Sequence, residues 1–471
     1  MGFTEITFLF VFMPVSIVIY LVAEKIFHKD KINNLILVGL SLLFYFWASK
    51  ETVAVFLLIV IFTYMAGWMV IPAIKRDKKL VFPVIVLVGT LAFYKYITII
   101  AELINKLIKV NLISAWNLIT PIGLSFVVFE SVSYIVDIYR GDAEPGSFLE
   151  CLTFLSLFPK VVSGPIVLWK DFKSQLSNRR TSGEYITKGI DKIIIGYAKK
   201  AIIADTFGSQ ILIINSGISG VGVDVPTMWL KALLYFFQIY FDFSGYSDIA
   251  IGLSNIFGFK IKENFNYPYL STSVSEFWRR WHISLGSWFR EYVYIPLGGN
   301  RKGNVYVHLA IVFSLTGVWH GTGWTFLVWA GVHGICVLTE RVLRNKKWYK
   351  RAPYLLKWFF TIVVVFFAWI LFSSISLKEA WQNYVNMFVP MTDGIVNFTW
   401  RYYLTNRTLL FLIIAVLGHF FGLERVACIL KKILNTGTGI VIKRIALLLL
   451  FIVDVLYVVN STYSPFIYFQ F

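Results

Sequence analysis

Long apolar runs separated by short basic stretches fill this chain from Phe3 onward, and no polar block of domain size interrupts them. Runs of this kind cross hydrocarbon as helices, which need about 20 apolar residues at about 1.5 Å each. The pattern predicts spanning helices near residues 3–22, 32–48, 52–72, 80–104, 118–139, 189–214, 228–257, 304–320, 323–340, 354–375, 408–423 and 445–460, about eleven or twelve crossings. Leu152–Leu168 is apolar but short, and its F-P-K-V-V-S-G-P break frees backbone groups that need protein or water partners, so it reads as a re-entrant segment. Lys260 to Gly303 mixes arginines with aromatics and reads as interfacial or re-entrant helices on the inner side. The segments on either side of Gly321 and Gly323 form a tight hairpin. The predicted fold is an all-α polytopic membrane protein in one domain, residues 1–471.

Composition agrees, with 58% hydrophobic and only 15% charged residues. Lys plus Arg outnumber Asp plus Glu by 44 to 26, and such an excess collects on the cytoplasmic side of membrane proteins. The basic clusters are Lys25, Lys29 and Lys31; Lys75, Arg76, Lys78 and Lys79; Lys170, Lys173, Arg179 and Arg180; Arg341 to Arg351; and Lys431, Lys432, Lys443 and Arg444. Placing them all inside largely closes the path of the chain. A basic inner face attracts lipid head groups and nucleotide-like cofactors, and no nucleic-acid partner is implied. The first run, Phe3 to Val22, lacks the basic start and small-residue cleavage site of a signal peptide and reads as the first spanning helix. Cys151, Cys336 and Cys428 are too scattered for a disulfide framework or thiolate metal site. No sequence repeat is evident, which weighs against an inverted-repeat transporter.

Two runs carry chemistry, F-W-R-R-W-H-I at 277–283 and V-W-H-G-T-G-W at 318–324. A neutral imidazole moves protons at neutral pH, and tryptophans and glycines around it make a narrow, mostly dry slot. His282 follows Trp281; His320 lies between Trp319 and Gly321, with Trp324 and His333 further along. His28, His308 and His419 read as surface or core histidines, and no acidic or cysteine cluster points to a metal. Asp242 and Asp248 fall in a run of membrane depth, where a carboxylate is expensive unless paired or wet. With Ser244 and Tyr246 they line a polar path, or else they pair with Arg279 or Arg280 or cap helix ends. Arg279, Arg280, Arg290 and Arg301 offer a donor-binding surface, and Y-I-P-L-G-G-N-R-K-G at 294–303 has the glycines and cations of a phosphate turn.

P-I-G-L-S-F (121–126), Y-I-V-D-I-Y-R-G (134–141), S-G-P-I (163–166), Y-F-D-F-S-G-Y-S-D-I-A-I-G-L (240–253), E-N-F-N-Y-P-Y (263–269), E-F-W-R-R-W-H-I-S-L (276–285), Y-I-P-L-G-G-N-R (294–301) and W-H-G (319–321) occur in this order. Together they resemble the membrane-bound O-acyltransferase family, and within it the bacterial alginate O-acetyltransferase branch. The resemblance runs to the terminal F-I-Y-F-Q-F. It implies a helical bundle with a tunnel from each side meeting near an essential histidine, here His320, with His282 as a second hallmark. It also implies an extracytoplasmic partner transferase that finishes the modification of a cell-surface polysaccharide. A related branch exports D-alanyl groups to teichoic acids; the longer chain and Y-I-P-L-G-G-N-R favour acetylation.

The expected donor is acetyl coenzyme A or an acylated carrier protein at the cytoplasmic face, and no permanently bound cofactor is expected. Only the small acyl group then needs to cross the membrane. His320 acts as general base toward an acceptor hydroxyl, or carries the acetyl as an acyl-imidazole. His282 takes part in a hand-over or only orients the site. The alternative from another class is a transporter or flippase that uses Asp242 and Asp248 as proton or substrate sites.

Overall fold

The computed structural model describes residues 2–71, 78–109, 119–218, 222–390, 396 and 398–461. Lys75, Arg76 and the terminal 466–471 motif lie outside them. Among the described residues the regular structure is helical, with no strand. All twelve runs read from hydropathy fall on helices. Six helices are long and apolar enough to cross a membrane: Phe8–Phe27, Asp30–Met69, Val81–Ile108, Gly183–Ile218, Trp324–Leu343 and Tyr354–Ser373. Asn406–Phe420 with Glu424–Leu434, bent by 94°, makes a seventh if the pair is one span. Four further runs become Leu124–Arg140, Val225–Ile256, Val305–His320 and Gly437–Asn460, which are shorter or carry charged residues. Leu58, Ile85, Leu355 and Leu448 are each at least 60% exposed, a surface suited to lipid.

The chain divides into two compact units. The first, residues 1–193 and 249–262, contains the predicted break. Phe148–Ser156 is a helix with a Ser147–Glu150 capping box, followed by the short helix Phe158–Val161 and then irregular backbone to Leu168. From Cys151 onward this stretch is buried, so its backbone groups must find protein partners. Leu124–Arg140 supplies them along one face. Glu130 accepts from the Val167 N–H at 3.2 Å, Ser133 Oγ from Trp169 N–H at 3.2 Å, and Asp137 from Lys170 N–H at 2.9 Å. Positions 130, 133 and 137 share that face because they are three and four residues apart. Lys160 forms a fully buried ion pair with Glu130. A charge inside an apolar unit is tolerated only when paired and hydrogen-bonded in this way.

The second unit, residues 194–248 and 263–471, holds the histidine motifs. Its centre is aromatic: Phe236, Tyr269, Phe277, Trp281 and Trp369 are all buried. Tyr269 donates its hydroxyl to Phe236 O at 2.6 Å and accepts from Trp369 Nε1 at 3.2 Å, which satisfies the polar ends of this packing. Val225–Ile256 approaches the π-helical segment Ala198–Ala204 at Gly245. A Cβ there would lie 2.7 Å from Gly196 O, so only glycine admits the contact.

Candidate active site

Val305–His320 and Trp324–Leu343 form the predicted hairpin. The turn is tight because Gly321 is extended and has no side chain: a Cβ there would sit 2.1 Å from the Phe326 ring. His320 is therefore the last residue of its helix, 5% exposed, at the end where the helix carries partial negative charge. The His320 ring packs against Trp319 at 4.5 Å, Trp329 at 5.0 Å and Phe372 at 5.2 Å. Trp329 joins it to His333, 5.3 Å away on the same helix, and His333 meets Trp278 at 5.1 Å. Neither ring nitrogen of His333 nor Nε1 of Trp329 has a hydrogen-bond partner among the described residues. Buried polar atoms without partners cost about 1–3 kcal/mol each, and such atoms mark places where a guest or solvent completes the structure.

His282 belongs to the same cluster. It separates Val274–Arg280 from Ile283–Phe289 and adopts a left-handed backbone, φ 44°. Its ring is 1% exposed, meets Phe243 edge-on at 4.6 Å and lies 6.3 Å from Trp319. Trp319 thus touches both motif histidines. Residue 282 is outside the candidate spans, and burial pushes its imidazole down to about 3, so it is neutral at physiological pH.

Two cavities of the second unit border this cluster. One, about 520 Å³, is lined by His282, Trp278, Arg279, Arg290, Phe313 and Thr316 among others. The other, about 470 Å³, is lined by Thr322, Gly323, Phe326, Phe372, Lys231 and Glu379 among others. Along the hairpin the first is lined by Leu309, Val312, Phe313 and Thr316 before His320 and by Val337 after it, the second by Thr322, Gly323 and Phe326, and His320 itself lines neither. In sequence His320 stands between Thr316 and Thr322.

Several predicted site residues lie elsewhere. Asp242 and Asp248 do not pair with Arg279 or Arg280. Lys200 Nζ sits 2.7 Å from Asp242 and 2.6 Å from Asp205, and Lys199 Nζ sits 2.6 Å from Asp248. The lysines are brought there by the glycine contact at Gly245, and a carboxylate in apolar surroundings takes the nearest cation. Asp242, Ser244, Tyr246 and Asp248 line neither of the two cavities. Trp281 is in the aromatic centre, 4.8 Å from Trp369. Trp324, expected near His320, is 72% exposed; Phe326 takes the inward place, against Phe372 at 5.1 Å. Arg280 pairs with Glu276 at 2.8 Å, and Arg301 is exposed in a turn, so only Arg279 and Arg290 of the four arginines face the His282 cavity.

Sequence reasoning missed Trp329, Lys199 and Lys200. Trp329 and His333 are four residues apart and so share a helix face, and the two lysines interrupt an apolar run as conspicuously as the aspartates do.

A profile of the membrane-bound O-acyltransferase family matches residues 56–379, which takes in the hairpin, both motif histidines, the first cavity and most of the second. The chain belongs to the membrane-bound O-acyltransferase family. Membership makes this multi-pass membrane protein an acyltransferase, in place of the transporter alternative. The chain is 34% identical to a protein of Pseudomonas putida named probable alginate O-acetylase AlgI, over the full length of both. It is 31% identical to the peptidoglycan O-acetyltransferase of Helicobacter pylori, over 79% of this chain and 77% of that one. Identity to the teichoic acid D-alanyltransferase of Bacillus subtilis is 30%, over 51% of this chain and 63% of that one.

Proposed function

We propose that this acyltransferase takes acetyl from a cytoplasmic thioester, acetyl coenzyme A or an acylated carrier protein, and passes it through the bilayer of the cell membrane for O-acetylation of a surface polysaccharide, finished by an extracytoplasmic partner transferase. The observation that carries this is the pair of cavities meeting the hairpin before and after His320. The cavity with Arg279 and Arg290 also reaches Val337, toward the helix end that continues into the basic run from Arg341, the side expected to be cytoplasmic. Arginines at the rim suit the phosphates of a thioester donor, and apolar walls keep water from the ester. The other cavity receives the acceptor. Full-length identity to an alginate O-acetylase supports acetyl over D-alanyl as the group moved.

In this reading the His320 imidazole removes the proton of the acceptor hydroxyl as its oxygen bonds to the acetyl carbon. The carbon–sulfur bond breaks, and the departing thiolate takes a proton from the imidazolium. His282 and Trp319 hold the donor end of the slot.

Purified protein in liposomes, given radiolabelled acetyl coenzyme A or acetylated carrier protein, is expected to release free thiol and move label to an acceptor. Release with neither donor would sink the proposal. A label trapped on His320 would replace direct transfer by the acyl-imidazole relay.

Charge reversal of the first cavity, Arg279→Glu with Arg290→Glu, is expected to raise the KM for donor at least about tenfold, since each charge-assisted hydrogen bond contributes about 1.5–3 kcal/mol. Both side chains are exposed, so thermal stability should stay near that of the wild type. An unchanged KM would remove the arginines from donor binding.

Sidedness has its own test. Single cysteines along Val318–Thr322 should react with impermeant thiol reagents from one face or the other in active protein, and labelling from neither face would contradict a through-membrane route.

A further inference from the structure

The loop that carries Glu263–Tyr267 has no role in the reaction as described so far, yet it is pinned to both sides of His282. Asn266 N–H donates to Arg280 O at 2.9 Å, and Ile283 N–H donates to Asn264 O at 2.9 Å. These two bonds hold His282 in a left-handed conformation, which a non-glycine residue keeps only where the surroundings over-determine it.

The side chain of Asn264, 1% exposed, goes further. Its oxygen accepts from the Ser284 N–H at 3.0 Å and from Ser284 Oγ at 2.9 Å, and it lies 3.2 Å from His282 Nδ1. Its nitrogen donates to Ser247 Oγ at 3.1 Å. A backbone N–H can only donate, so the amide atom facing Ser284 is the oxygen. An amide oxygen can only accept, so the hydrogen between it and the imidazole is on Nδ1. The other ring nitrogen, Nε2, then bears the lone pair.

We infer that Asn264 is the positioning residue of His282, fixing it as the Nδ1–H tautomer so that Nε2 serves as a proton acceptor in the acyl-transfer slot. This rests on the reading of His282 as part of that slot. It makes Asn264 do with a neutral amide what a carboxylate does for a histidine base elsewhere: choose the tautomer and the ring orientation, but without raising basicity.

Three variants test this: His282→Ala, Asn264→Ala and Asn264→Asp. The readouts are base-released acetate on the cell-envelope polymer, and the pH dependence of diethylpyrocarbonate modification at His282, followed by mass spectrometry on the purified full chain. Diethylpyrocarbonate reacts with unprotonated imidazole and needs no knowledge of donor or acceptor. Asn264→Asp keeps an oxygen for Ser284 and adds a negative charge, which favours imidazolium; the midpoint of His282 modification should move up by about one unit or more. The acetate level of Asn264→Ala should drop at least about tenfold at equal membrane-inserted protein. A merely structural asparagine predicts loss of inserted protein in Asn264→Ala and no shift of the midpoint in Asn264→Asp; that pair of results overturns the inference. If His282→Ala itself keeps wild-type acetate, the reading of His282 fails, whereas an inactive His282→Ala beside a fully active Asn264→Ala overturns the role of Asn264 alone.

Discussion

His320→Ala is expected to lose acylation of the surface polymer by about 10²- to 10⁴-fold, the usual contribution of a positioned proton-transfer group. The ring is buried against Trp319, Trp329 and Phe372 at the end of its helix. Removing it takes away the proposed proton acceptor but leaves the hairpin turn, which depends on Gly321 and Phe326. Membrane-inserted protein should therefore stay within about twofold of wild type while base-released acetate disappears. Near-normal acetate would move the chemistry to another residue, with His282 the first to examine.

Lys200→Ala should act in the opposite sense, on folding. Lys200 holds both Asp205 and Asp242, and all three are nearly inaccessible. Removing one partner of a buried ion pair costs about 3–5 kcal/mol, a large part of the 5–15 kcal/mol that separates folded from unfolded protein. Here two carboxylates would lose the same cation at once. Asp242→Asn should be far milder, because an amide still accepts from Lys200 and Asp205 remains paired. Folded yield in detergent and the midpoint of thermal unfolding give the comparison. A Lys200→Ala protein that is as stable as wild type but inactive would return Asp242 to the polar path expected from sequence alone.

Those aspartates show where sequence reading stops. Hydropathy places all twelve apolar runs on helices, and Ser163-Gly164-Pro165 marks the break, because both signals are local. Histidine beside tryptophan likewise singles out His282 and His320. Partner choice is not local. Whether Asp242 meets an arginine 37 residues ahead or a lysine 42 behind depends on where Gly245 lets two helices touch. The outward turn of Trp324 depends on Phe326 having filled the space beneath Gly321. Asn264 was legible only as part of a motif, since its three partners lie 17 to 20 residues away.

The polar face of Leu124–Arg140 bears on how the chain enters the membrane. Glu130, Ser133 and Asp137 are synthesised 33 to 37 residues before the backbone groups they satisfy at 167, 169 and 170. The ribosome thus delivers the template first, and the broken segment follows it. Reversing that order, by a circular permutation that starts the chain between these two elements, would leave unpaired backbone waiting in lipid, and quality-control proteases would meet the segment before its template does.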